Sequence, residues 1–124
     1  MGQAIVICDR IIVDAETNNK TLVSTFNSIT APHFPARHPF MAVYTALTNG
    51  AGKKLVELIM RDTSNNNKIF AIRQEFGFAN PNMVAELIFN LRNVIFFKPG
   101  LYAFEVWVDG EPLLENRFNV HLMT

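Results

Sequence analysis

The stretch Lys98–Val120, KPGLYAFEVWVDGEPLLENRFNV, decides the fold. Pro99-Gly100 opens a turn. From Leu101 to Val108 the chain alternates, with Tyr102, Phe104, Val106 and Val108 on one face. Asp109-Gly110 turns it back, and Leu114, Phe118 and Val120 continue the apolar face. Such alternation on both sides of an Asp-Gly turn predicts a β-hairpin buried on one side. A two-residue loop at Asp109-Gly110 sets Phe104 opposite Glu115 and sends a charge inward. A three-residue loop, Val108-Asp109-Gly110, sets Phe104 opposite Leu114 and Tyr102 opposite Asn116. The three-residue loop is the expectation, because a one-residue slip turns every side chain to the other face. It also places Gly110 in the left-handed region, which glycine enters without steric cost.

Working outward from the hairpin, the rest of the chain reads as strands and turns. Ala4–Val13 is rich in Ile and Val and is interrupted by Asp9-Arg10, which predicts a first strand with a bulge or bend there. After the polar turn Asp14–Lys20, a second strand is expected over Thr21–Ile29, with Leu22 and Phe26 on one face. Thr30–Pro39, TAPHFPARHP, holds three prolines and predicts a loop that crosses between sheets. Phe40–Thr48 is apolar on both faces, as a central strand is. Asn49-Gly50-Ala51-Gly52 turns the chain into Lys54–Asp62, where Val56, Leu58 and Met60 face inward. The turn DTSNNN leads to a strand over Lys68–Phe76, and Asn80-Pro81 breaks the pattern again. Met83–Asn93 fits a helix or a strand. Its β neighbours and its Leu-Ile-Phe run favour a strand over Val84–Leu91, with a helical turn over Arg92–Phe97. The expected fold is a single domain over residues 1–124. It is an all-β, two-sheet antiparallel sandwich of about eight strands.

The composition suits such a core. Of 124 residues, 49% are hydrophobic and 11 are Phe. That is enough to bury a core without staples. Formal net charge is zero, so the basic surface that nucleic acid or an anionic membrane requires is missing. Cys8 is the only cysteine, which rules out an internal disulfide and fits a reducing compartment. The start MGQAIVICDR lacks a signal-peptide core, Val6 fails the myristoylation pattern, and no apolar run reaches membrane-spanning length. The expected location is cytoplasmic.

No catalytic constellation emerges. His33, His38 and His121 match no zinc spacing. Cys8 lies in an apolar strand, where cysteine behaves as a small hydrophobe. The acids Asp9, Asp14, Glu57, Glu75, Glu86 and Glu105 are scattered without pairing. Asn49–Lys54 lacks P-loop spacing. The chain is therefore read as no enzyme, and no cofactor is expected. Two surfaces stand out instead. Trp107 and Leu113 fall on the outer side of the hairpin as an apolar island, of the kind that marks an interface, unless a neighbouring loop covers them. The proline-stiffened loop presents Phe34, Arg37 and His38, with Phe34 able to tuck into the core edge. These features point to a non-catalytic cytosolic protein-interaction or assembly module. Its partner is a protein, a second copy through edge strands or the Trp107 face included, rather than nucleic acid or membrane. The alternative is a small-ligand or metal-binding domain using the proline-rich loop.

Leu87-Ile88-Phe89-Asn90-Leu91 and Gly100-Leu101-Tyr102-Ala103-Phe104 resemble the late strands of immunoglobulin-like sandwiches, in which a tyrosine anchors a corner. Phe104 stands where those domains carry a second cysteine. The resemblance implies that the Tyr102 hydroxyl bonds backbone near Phe96–Lys98. ICDRIIVD, FPARHP and FFKPGLYAFEVWVDGE also resemble a family of short bacterial β-sandwich proteins with no assigned function. That resemblance implies a fold and a bacterial or phage cytosol, not an activity.

Overall fold

The computed structural model describes residues 1–124 and contains nine strands: β1 (Gly2–Val13), β2 (Lys20–Thr25), β3 (Ser28–Ala31), β4 (Ala36–Leu47), β5 (Gly52–Asp62), β6 (Asn67–Phe78), β7 (Ala85–Phe96), β8 (Gly100–Val108) and β9 (Glu111–Leu122). They form a four-stranded sheet in the order β2-β1-β4-β7 and a five-stranded sheet in the order β3-β9-β8-β5-β6. No helix is long and apolar enough to cross a membrane. The alternating apolar faces of the two sheets close on one cluster of 21 buried residues, including Ile7, Val43, Leu58, Leu87, Phe104 and Phe118.

The hairpin that anchors the sequence reading is β8–β9, and its inner face is buried as expected, with Tyr102, Phe104 and Val106 at 2% exposure or less. The register differs from both expected ones. The loop is the two-residue one, with Val108 opposite Glu111 and both Asp109 and Gly110 at positive φ. The ladder then shifts by one between Val106 and Trp107, leaving Leu113 as the extra residue of a bulge in β9. Phe104 therefore faces Asn116, and Tyr102 faces Phe118. The tight turn fits the strand twist, and the bulge returns the apolar residues to the core side. Asn116 is tolerated inside because its amide donates to the Ile5 carbonyl of the opposite sheet at 3.1 Å.

The Tyr102 hydroxyl donates to the Lys98 carbonyl at 2.7 Å, so the expected corner is present. The Lys98 ammonium in turn lies 3.4 Å from the buried Asp62 carboxylate. Above this corner Phe96 meets Tyr102 edge-on at 5.1 Å and Phe118 at 5.9 Å, which ties β7 to the hairpin. Each such pair adds about 1 kcal/mol beyond its buried area.

Three expectations are corrected. The second strand, expected over Thr21–Ile29, is two strands. After Thr25 the chain leaves the first sheet, and β3 pairs parallel with β9 on the second. The sandwich is thus not wholly antiparallel, since strands so distant in sequence are free of hairpin constraints. The crossing back lies in Pro32–Pro35 alone, because Ala36–Pro39 already belongs to β4. Finally, Arg92–Phe97 holds no helical turn: β7 runs straight through to Phe96. Asn93 sits at φ 53, and the buried side switches there from Leu87, Phe89 and Leu91 to Val94 and Phe96. A phase shift inside a strand spaces Leu87, Leu91 and Val94 like a helical face, which explains the ambiguity.

The bend expected at Asp9-Arg10 takes another form. β1 pairs with β4 up to Cys8 and with β2 from Cys8 onward, and the ladder break opposite Asp9 falls at Ser24, at φ 55. The β1–β2 arm brings Lys20 and Leu22 against Tyr44 and Glu86, with Lys20 Nζ 2.8 Å from Glu86. β4 is central as expected, flanked by β1 and β7.

Candidate functional site

The five residues singled out from sequence fall in different places. Trp107 and Leu113 do come together, in an open hollow of about 600 Å³ on the outer side of β5, β8 and β9. Its character is not that of an apolar island. Trp107 is half-buried, and its indole N–H donates to Glu105 Oε1 at 2.9 Å. Arg61, reaching across from β5, donates to the same carboxylate through Nε and Nη2 at 3.1–3.2 Å. Its Nη1 donates to the Asn66 carbonyl at 3.0 Å. Burial pushes the Glu105 carboxyl up, but the donors Arg61 and Trp107 outweigh it and hold the group below its ordinary range. The hollow is thus a braced polar network with an aromatic lid. No residue lining it comes from the proline-rich loop.

That loop disperses its candidates. Phe34 packs half-buried against the core edge, and its peptide bond to Pro35 is cis. Arg37 is exposed and donates to the Asn93 side chain at 2.7 Å. His38 lies against Phe26, ring centres 5.9 Å apart, in a hollow of about 290 Å³ that also holds Asp9, Ser24 and Ser28. Burial lowers the His38 pKa, with Asp9 and the Phe40 backbone pulling the other way. His33 is exposed, and His121 is bonded to the Ser28 hydroxyl. No three His, Cys, Asp or Glu side chains converge on a metal-sized site. Cys8 is fully buried, and burial followed by the charge of Asp9 pushes its thiol up, away from the reactive thiolate.

The most apolar of the surface hollows was not among the sequence candidates. Between β6 and β7 lies an open groove of about 420 Å³, lined by Ile69, Phe70, Ile72, Leu91, Val94, Ile95 and Phe97, with Arg92 as its only charged residue. Phe97 is 74% exposed, Ile69 41% and Ile95 36%. Both strands are sheet edges: β6 pairs only with β5, and β7 only with β4. A bulge between Met60 and Arg61 leaves Ile69 as an extra residue in β6, and Ile69 lines the groove beside Phe70. The run Ile95-Phe96-Phe97 was the signal available, since three successive large apolar residues cannot all face one core. A helical turn drawn over them hid it.

Residues 3–121 match the model of a family described as one of unknown function, DUF6941. The chain belongs to that family. The matched span of DUF6941 contains both the Trp107 hollow and the β6–β7 groove, so each is made of residues the family model covers. A search of the curated proteins finds no match. Membership in DUF6941 carries no activity with it.

Proposed function

We propose that the chain is a non-catalytic protein-interaction or assembly module of the bacterial cytosol, built on an immunoglobulin-like sandwich. The observation that carries this reading is the apolar groove between the open edges of β6 and β7, with Phe97 74% exposed beside it. Apolar side chains gathered without cover between two open sheet edges offer a partner surface to bury. Support for the immunoglobulin-like arrangement comes from the order β1-β4-β7 facing β9-β8-β5-β6, from β3 lying parallel to the last strand, and from the Tyr102 corner. The unpaired, buried Cys8 thiol is at home in a reducing compartment.

Affinity capture from the native host tests the proposal. The wild-type chain should retain a stoichiometric protein partner that the Ile95→Lys/Phe97→Asp double variant loses. Identical captures by the two proteins would remove the groove from the proposal. Trp107→Ser serves as the comparison for the other surface and should capture as wild type does. The small-ligand reading has one observation in its favour, the hollow shared by His38 and Asp9. Thermal shifts with divalent cations test it, since a site occupied only in the folded state raises the Tm. A shift abolished by His38→Ala would establish it, and no shift with any cation would remove its metal version.

A further inference from the structure

We infer that the β6–β7 groove takes one extended strand of a partner protein, paired to the free edge of β7, with alternate apolar side chains over Phe70 and Ile72 and a carboxylate at Arg92. This deepens the proposed function and rests on the groove being its docking site.

The two sheets do not end flush at this rim. On β5 the inner residues Leu58 and Met60 are 0% exposed, whereas their neighbours on β6, Ile72 and Phe70, are only half-buried. β6 therefore projects beyond the cover that the opposite sheet provides. A strand paired to β7 would lie about 4.8 Å beyond it and about 10 Å above β6, which is the space the groove leaves.

The edges themselves differ. The β6 edge is defended by its bulge and by the exposed charges Lys68, Arg73 and Glu75. Such features discourage strand addition. The β7 edge has no bulge: its ladder with β4 holds one register from Ala85 to Phe96 and skips only the left-handed Asn93, and the groove lies beside residues 90–97. Over that length it offers a row of backbone donors and acceptors with no partner on the open side. Extended peptides add to such edges through main-chain hydrogen bonds, and pockets for alternate side chains select among them.

Shape excludes a second copy in this pose. Antiparallel pairing of β7 with its own counterpart sets the two molecules about an axis perpendicular to the sheet. The five-stranded sheet of the second copy would then occupy the level of β6 and collide with it. One strand fits where a second sandwich does not. Charge selects the strand. Glu86 is already tied to Lys20 and Tyr44, but Arg92 lies over the Phe40 ring at 5.5 Å with no carboxylate in salt-bridge range. It is the only charged group lining the groove, so an acidic residue on the incoming strand gains the one ionic contact on offer.

Selection from a random displayed-peptide library on immobilised wild-type protein tests this, with Arg92→Glu and Phe97→Asp proteins as parallel baits. The expected peptides alternate apolar and polar residues and carry Asp or Glu. Their binding should weaken about tenfold or more on either variant bait. N-methylation of alternate peptide amides on one edge should abolish binding, which side-chain docking alone would not do. In an NMR titration the β7 amides from Asn90 to Phe96 should shift. No enrichment, helically spaced peptides, or equal enrichment on Arg92→Glu would overturn the strand and leave the groove to a folded partner, provided host capture still depends on it. Loss of both results would overturn the groove as well. A wild-type dimer in light scattering that Phe97→Asp disperses would also overturn the strand, in favour of a second copy in another pose.

Discussion

The hollow under Trp107 and the groove beside Phe97 are both open surfaces with large aromatic side chains, and they differ in what holds those side chains. The Trp107 ring is fixed by its own N–H on Glu105, a carboxylate that Arg61 grips from the next strand. Phe97 is 74% exposed, next to Ile69 and Ile95, which are 41% and 36% exposed. An exposed aromatic therefore signals a docking surface only when its polar handle and its neighbours leave it uncommitted. Tryptophan, with a donor to satisfy, was recruited into an internal brace. Phenylalanine, with none, stayed at the rim.

If the hollow is a brace, cutting its links should cost stability, and the largest loss should come from Arg61. Arg61→Met removes three donor contacts to the partly buried Glu105 and should lower the unfolding free energy by about 2 kcal/mol in urea denaturation. A loss below about 0.5 kcal/mol would place the hollow with the groove as an uncommitted surface. The same pair has a pH signature. Glu105 is lowered in the folded state, so its contribution is complete above the unfolded carboxyl pKa and fades as pH falls through the lower folded value. The window lies below roughly pH 4. The stability difference between wild type and Arg61→Met should accordingly narrow as pH falls below about 4.

A smaller effect sharpens the same contrast. Trp107→Phe keeps an aromatic ring but deletes the donor to Glu105, and should cost about 1 kcal/mol. An unchanged denaturation midpoint would show that packing on Leu113, not the hydrogen bond, places the indole. The smallest effect is expected at the groove. Phe97→Ser should stay within about 0.5 kcal/mol of wild type, because an exposed side chain has little burial to lose. A larger destabilisation would mean that Phe97 serves the monomer, which would weaken the docking reading.

Several features were legible in the residues because they depend on neighbours in sequence. Alternation from Tyr102 to Val108, the Asp-Gly turn and the corner tyrosine are local patterns, and each appears in the structure. The hairpin register was less legible. Its turn is local, but the bulge at Leu113 that follows answers to core packing against the other sheet. The left-handed Asn93 likewise shifts the phase of β7 to suit the core, and it gave a strand the spacing of a helix. Of the candidate site residues, Trp107 and Leu113 line one hollow because they share a hairpin. Phe34, Arg37 and His38 share a loop and yet serve three different neighbours.

The amino-acid order by itself determined the all-β class, most of the strands and their inward faces, since burying alternate side chains is a rule that acts over a few residues. Only the tertiary structure decided that Arg61 would meet Glu105 across a strand pair and that β3 would lie parallel to β9. It alone decided that β6 would project past β7 and leave apolar residues uncovered. Those outcomes depend on which strands become neighbours and how far one sheet overhangs the other. They are set by the packing of segments far apart in the chain, which no local pattern records.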